Sequence, residues 1–177
     1  MRVVAGEARG IRLATPAGAA VRPTGDRVRE ATFNALGSMN AIAEANFVDL
    51  FAGSGAMGIE ALSRGARHAT FVDASRQSVE LISENLTLTR LEPRSTVINR
   101  DVITWLGAVD STEFDVAIAD PPYEFDGWLD LTASLEVPVL VIESDREVVL
   151  ADRYELRRER RYGSTVVSIA ALQESDT

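Results

Sequence analysis

The chain has 177 residues, 46% of them hydrophobic and 25% charged, which suits one soluble globular domain able to bury roughly 70% of its unfolded surface. It lacks cysteine, which excludes disulfides, thiolate catalysis and cysteine-held metals, and no apolar run approaches the ~18 residues of a membrane span. Its formal charge of −9 is uneven: residues 1–29 carry six arginines against two acids, and the rest carries 12 arginines against 25 acids. The start, MRVVAGEARG, has no secretory signal, so a cytoplasmic location is expected.

The first twenty or so residues hold short apolar pieces, RVVAG and IRLATP, broken by Gly6, Gly10, Pro16 and Gly18. They predict a basic arm or hairpin over residues 1–23 that carries Arg9, Arg12 and Arg22, with the main domain in 24–177. From Thr24, read as an N-cap, the spacing of Val28, Ala31, Leu36 and Met39 predicts an amphipathic helix. NFVDLF then reads as a strand, AMGIEALSRG as a helix closed by Gly65, ATFVD as a strand ending at Asp73, and SRQSVELISENLTLTR as a helix capped by Ser75. His68 is placed in the loop before that strand.

STVIN, FDVAIAD and VPVLVIES are further strands, with DVITWLGAV and FDGWLDLTASL as helices between them. Strands alternating with helices, at nearly continuous apolar content, imply an α/β fold of the Rossmann-like kind, a mostly parallel sheet covered on both faces. RYELRRERRYG and STVVSIAAL flank Gly163 without a helix, so an antiparallel hairpin is expected at one sheet edge. The first of these runs brings Arg153, Arg157, Arg158, Arg160 and Arg161 together, and arginine forks suit phosphate.

In open parallel sheets, ligands sit beyond the carboxyl ends of the strands. The first strand ends in DLFAGSGAMGIEA, where Gly53, Gly55 and Gly58 match G-x-G-x-x-G, and Asp73 follows about twenty residues on, placed to accept ribose hydroxyls. That pattern alone suggests a dinucleotide, but Asp49 stands just before the loop and is awkward for a pyrophosphate. It suits a cation. S-adenosylmethionine carries an ammonium and a sulfonium, so Asp49, Phe51, Ala52, Gly53, Ser54, Gly55 and Gly58 are expected to cradle it. Asp101 at the next strand end either accepts the adenine amino group, with Val102 covering the ring, or caps the following helix.

The fourth strand delivers Asp120, Pro121, Pro122 and Tyr123 to the same rim. The prolines remove amide donors and leave carbonyls facing outward, so the corner is rich in acceptors. Asp120 and the Pro121 carbonyl can take both hydrogens of an amino group, while Tyr123 offers a ring for a planar base. The chemistry expected is direct in-line methyl transfer, driven by orientation and electrostatics.

DLFAGSGAMGIEA with DPPY resembles the class I S-adenosylmethionine-dependent amino-methyltransferases. VVAGEARGIRL, RPTGDRVREATFN and YGSTVVSIA extend the resemblance, over almost the whole length, to the bacterial 16S ribosomal RNA guanine-N2 methyltransferases of the RsmD type. The resemblance implies a seven-stranded sheet, S-adenosylhomocysteine as product, and 16S rRNA within the 30S subunit or its assembly intermediate as partner. It places Arg22, Thr24, Arg27 and Arg29 near the target, or near the cofactor as a lid. Relatives often carry glutamate where Asp73 stands, and the shorter arm still reaches a ribose.

A monomer without a membrane or a metal is expected, since no histidine–carboxylate cluster occurs. Trp105 and Trp128 read as packing residues, with Trp128 and Phe125 close enough to DPPY to line a pocket, and Glu143 as a rim acid or a solvated one. The competing readings are a DPPY-type DNA adenine-N6 methyltransferase, which lacks room here for a target-reading region, and a non-catalytic nucleotide- or RNA-binding assembly module.

Overall fold

The computed structural model describes residues 1–15 and 23–173, with the backbone alone at 23 and 24. Seven strands form one sheet: β1 (Asn46–Leu50), β2 (His68–Asp73), β3 (Ser95–Asn99), β4 (Val116–Ala119), β5 (Val139–Ser144), β6 (Tyr154–Tyr162) and β7 (Thr165–Leu172). Their order is β3-β2-β1-β4-β5-β7-β6, with β1 to β5 parallel and β7 antiparallel to both β5 and β6. The order reverses between β1 and β4, and an α/β sheet opens a crevice at such a reversal. The helices are α1 (Pro23–Ser38), α2 (Ala56–Ser63), α3 (Arg76–Thr89), α4 (Val102–Leu106) and α5 (Trp128–Ala133). None of those described is long and apolar enough to cross a membrane.

Strand alternation sorts the core into two layers. Phe47, Phe71, Val116, Ile118 and Val141 pack with α1, α2 and α3 on one face. Val48, Leu50, Ala117, Ala119, Leu140 and Ile142 pack with α4 and α5 on the other. Each fully buried Phe, Leu or Ile contributes about 1.5–3 kcal/mol. The two-residue period carries on past the last apolar pairs. Asp49, Asp120 and Glu143 therefore fall on the α1 and α2 face, because they continue the series Phe47, Val116–Ile118 and Val139–Val141.

β4 stops where it does for a backbone reason. Its four residues are all buried, and its register with β5 ends at the Ala119–Ile142 pair. Proline cannot donate to a ladder, so Pro121 and Pro122 turn the chain off the sheet directly after Asp120. α3 follows the helical period, burying Ile82, Asn85, Leu86 and Thr89 on one side, and the Ser75 hydroxyl accepts the Ser78 N–H as its cap.

The expected N-terminal hairpin is present in residues 1–13, as an Arg2–Arg12 bridge with Val3 N–H donating to the Ile11 carbonyl. It packs onto the domain through buried Val3, Ala8 and Leu13. Buried Glu60 of α2 accepts the Val4 and Ala5 amides at 2.8 and 3.0 Å. α1 begins at Pro23, so Thr24 lies in its first turn rather than at the cap, because proline suits the first helical position. His68 is the first residue of β2, not a loop residue, and its Nε2 lies 2.9 Å from the Thr96 hydroxyl, since the β2 ladder runs one residue further than ATFVD.

Candidate active site

A cavity of about 990 Å³ opens over the β1/β4 reversal. One half is lined by Phe51, Gly53, Asp73, Ser75, Asp101 and Val102; the other by Asp120, Pro121, Tyr123, Phe125, Glu143 and the turn at residues 163–165. Met1, Thr15, Gly25 and Val28 close the wall contributed by the arm and α1.

In the first half, every acid grips the backbone. Phe51, Gly53 and Gly55 take left-handed φ values of 60°, 55° and 75°, which coils the loop tightly enough for the Gly55 N–H to meet the Ala52 carbonyl at 2.7 Å. Asp49 Oδ2 accepts the Gly58 N–H at 2.8 Å. Asp73 accepts the Gly53 N–H through Oδ2 and the Ser75 N–H through Oδ1, both at 2.8 Å. Asp101 Oδ1 accepts the Thr104 N–H and hydroxyl at 2.9 and 2.8 Å, which caps α4 and holds its carboxyl below the usual range. Buried Asn85 ties the arm to the loop: its amide pairs with both polar groups of Ala14 and donates to the Ser54 carbonyl at 2.8 Å.

Gly58 is required by close approach, since a Cβ there would lie 2.3 Å from a ring carbon of buried Phe71. At Gly53 the reverse holds: among the described residues an added Cβ would meet nothing beyond its chain neighbours nearer than the Phe51 carbonyl oxygen at 3.9 Å, and Gly53 borders the cavity.

The sequence expectation for Asp49 needs correction. It is 2% exposed and does not line the cavity; it sits beneath the loop and braces it. Burial pushes its carboxyl up to about 8, against the lowering by the Gly58 hydrogen bond, and the charges of Asp120 and Asp73 raise it further. Ala52, Ser54 and Gly55 likewise form the body of the loop and Gly58 the first turn of α2, none of them lining the cavity. Phe51, Gly53, Asp73, Asp101 and Val102 do border the cavity.

In the second half, the acids face open space. Among the described residues neither Asp120 nor Glu143 accepts a hydrogen bond from the protein through its carboxylate. Asp120 is reachable from the cavity yet flanked by protein elsewhere, and this desolvation raises its carboxyl to about 6. Glu143 is raised to about 8, by burial first and then by the charge of Asp120, with Arg29 opposing. Tyr123 is 46% exposed on the cavity wall. The Pro122 carbonyl does not face outward as expected; it accepts the Phe125 N–H at 2.9 Å and closes a turn.

Two anchors hold this loop, of which Arg146 escaped the sequence reading. Arg146, three residues past Glu143, donates to the Tyr123 and Phe125 carbonyls at 2.9 Å and pairs with Asp126. Phe125 packs against Phe51 and Trp128 with ring centroids 5.2 Å apart in each case, joining the two halves. No local motif marks Arg146. Glu143 did carry a signal, since VLVIE ends in an acid as VAIAD does.

The basic residues divide differently from expectation. Arg9, Arg12 and Arg27 are exposed, whereas Arg29 is 3% exposed. Its Nη2 donates to the Arg2 carbonyl at 2.6 Å and to Asp26 at 2.9 Å, and Glu60 lies 3.5 Å from Nε. Arg29 locks the arm to α1 and α2 and has no free face for RNA, because it lies on the helix side that meets the core. Arg22 and the side chain of Thr24 lie outside the described residues. On β6, Arg157, Arg158, Arg160 and Arg161 are exposed along the sheet edge, and the strand runs into the turn that borders the cavity.

The set of groups fits S-adenosylmethionine better than a dinucleotide. Asp73, Asp101 and Asp120 line the recess, and their negative charge favours a sulfonium and an ammonium and opposes a pyrophosphate. The two backbone N–H groups that donate to Asp73 orient it at a strand end, beside the open face of Gly53.

The family described as "Conserved hypothetical protein 95" matches residues 1–171. The chain is 38% identical to the ribosomal RNA small subunit methyltransferase D of Escherichia coli K12, over 99% of this chain and 93% of that one. It is 33% identical to the protein of the same name from Haemophilus influenzae, over 92% and 89%. A solved Escherichia coli chain named as a candidate methyltransferase, yhhF, superposes with a TM-score of 0.85 at 30% identity, covering 99% of both chains. Motifs, topology and these matches agree, and the chain belongs to the RsmD-type family of small-subunit ribosomal RNA methyltransferases.

Proposed function

We propose that this protein transfers a methyl group from S-adenosylmethionine to the exocyclic N2 amino group of a guanine in 16S ribosomal RNA. The observation that carries the reading is the division of the cavity: a glycine-lined half braced by Asp73 stands against a half bearing Asp120, Pro121 and Tyr123. The relatives' names, which specify ribosomal RNA of the small subunit, support the substrate class.

Phe51, Gly53, Asp73, Asp101 and Val102 would hold the cofactor, with Asp49 bracing the loop from below. When bound, S-adenosylmethionine supplies an electrophilic methyl for in-line displacement and leaves as S-adenosylhomocysteine. Asp120 accepts one N2–H of the base and draws the nitrogen lone pair out of the ring system. With its carboxyl near 6, it is mostly ionised at neutral pH and able to take the proton the amine loses. Tyr123 provides the stacking face, and Arg146 fixes the loop that carries both.

RNA phosphates would meet the exposed arginines at Arg9, Arg12 and Arg27 and along β6. The expected substrate is the 30S subunit or an assembly intermediate, with the enzyme acting as a monomer in the cytoplasm.

The test is to incubate the protein with methyl-labelled cofactor and either 30S particles or naked 16S RNA from a strain lacking the activity, then to digest the RNA and identify the labelled nucleoside. N2-methylguanosine is expected. Label in N6-methyladenosine, or none in either substrate, would refute the proposal.

A further inference from the structure

Glu143 has no part in the methyl transfer described above, yet its surroundings suit a specific task. The β4–β5 register pairs Val116 with Val139 and Ala119 with Ile142, so Asp120, the residue directly after β4, comes level with Glu143 of β5. Adjacent strands lie about 4.8 Å apart, and residues level with each other point to the same face. Both line the cavity, in the half beyond β4 as seen from the glycine loop. Two carboxylates so close cannot both ionise without penalty, so the pair favours one charge and one shared proton. Asp120 from β4, Arg29 from α1 and Asp49 from β1 are the charged groups around this corner. Arg29 is already engaged by Asp26 and Glu60.

Beside the N2 amino group, the edge of guanine presents N1–H, a donor, and then O6, an acceptor. A carboxylic acid that keeps its proton offers the complementary pair, a carbonyl oxygen to accept N1–H and a hydroxyl to donate to O6. We propose that Glu143 is a base-reading residue that pairs, as a neutral acid, with the N1–H and O6 of the target guanine while ionised Asp120 holds its N2 amino group. The two acids thereby divide the edge of the base. This inference rests on the guanine-N2 reading above. The raised carboxyl of Glu143, near 8 against about 6 for Asp120, agrees in direction with the division of roles.

The experiment compares wild type, Glu143→Gln and Glu143→Ala on 30S particles lacking the modification, measuring kcat/KM for methyl transfer and, by titration, the affinity for S-adenosylmethionine. Glutamine copies the neutral acid, with a carbonyl to accept and an amide N–H to donate. Glu143→Gln should therefore stay within a few-fold of wild type, while Glu143→Ala falls roughly 100-fold, with both keeping wild-type cofactor affinity. Raising the pH from 7 to 8.5, below the range in which guanine N1–H itself ionises, should lower the wild-type rate as Glu143 ionises, and leave the glutamine variant flat over that range. Particles carrying 2-aminopurine at the mapped target, which keeps the 2-amino group but lacks N1–H and O6, should lose roughly 100-fold with wild type and little more with Glu143→Ala.

The inference is overturned if the alanine variant matches wild type, if glutamine is as damaging as alanine, or if wild type methylates guanine and 2-aminopurine equally. The underlying reading fails separately. If the wild-type product is not N2-methylguanosine, guanine recognition is wrong whatever the variants do.

Discussion

The two halves of the cavity use the same side chain for opposite purposes. Across β1, β2 and β3 the strand-end acids Asp49, Asp73 and Asp101 are tied to backbone amides of the loops and first helical turns beside them at 2.8 to 2.9 Å. Across β4 and β5, Asp120 and Glu143 face the cavity and carry raised carboxyls. The tied acids build shape, because a carboxylate that accepts two amides fixes a turn that glycine alone would leave loose. The facing acids keep their hydrogen-bonding capacity for a ligand. A strand-end acid in this fold is therefore not one kind of site residue, and its partners tell which kind it is.

The comparison breaks most sharply at Asp120. Asp120→Asn should lower kcat on 30S particles about 100- to 1000-fold, the scale seen when one preorganised polar group is removed from a reacting centre. Cofactor affinity should change by no more than a few-fold, because Asp120 lies outside the glycine-lined half. An Asp120→Asn enzyme with wild-type turnover, or one that no longer binds S-adenosylmethionine, would erase the distinction between the halves.

The braced half should respond in stability and binding instead. Gly58→Ala forces a methyl to within 2.3 Å of the Phe71 ring, which is itself fully buried, so the helix or the strand must shift. Overpacking of this kind costs about 1–3 kcal/mol, read as a lower urea midpoint at unchanged slope. An unaltered midpoint would show that the loop is more compliant than its packing implies. Next in size, Asp73→Ala frees the Gly53 and Ser75 amides and should weaken S-adenosylmethionine binding about tenfold by calorimetry, with the methyl-transfer rate at saturating cofactor falling less. If kcat falls while affinity holds, Asp73 belongs with the facing acids.

Much of this was legible in the sequence, for physical reasons that also explain the rest. β1, β4 and β5 announce themselves because a strand buried on both faces is apolar nearly throughout, whereas β3, at the sheet edge, is only partly buried. The sequence also locates Asp73 and Asp120, since strand ends define the rim. It could not say that Asp49 lies under the loop rather than against the ligand, because one residue along a strand reverses the face and the depth of the loop is a tertiary fact. Arg29 misled for a similar reason. A basic stretch reads as solvated, yet the helical period carries Arg29 inward to Asp26 and Glu60, while Arg27 stays outside. Arg146 and Asn85 act across 20 or more residues of sequence, on the Tyr123 and Phe125 carbonyls and on Ala14 and Ser54, where no local pattern records them.

The smallest expected effect isolates Asp49. Its carboxyl in the folded protein stands near 8, above the ordinary 3.8, so folding favours its protonated form. A raised folded-state value adds stability below about pH 4 that is lost as pH rises through 8. Asp120 and Glu143 slope the same way, so wild type alone cannot separate the three. The difference between wild type and Asp49→Asn can, because asparagine keeps an oxygen for the Gly58 N–H and removes only the titration. Asp49→Asn should be more stable than wild type by about 1 kcal/mol at pH 8.5, with the gap closing toward pH 4, measured as urea unfolding free energies across that range. A constant gap at every pH would mean that Asp49 acts by packing alone. A gap that opens as predicted would show that the glycine loop is braced from below by an acid the fold keeps protonated.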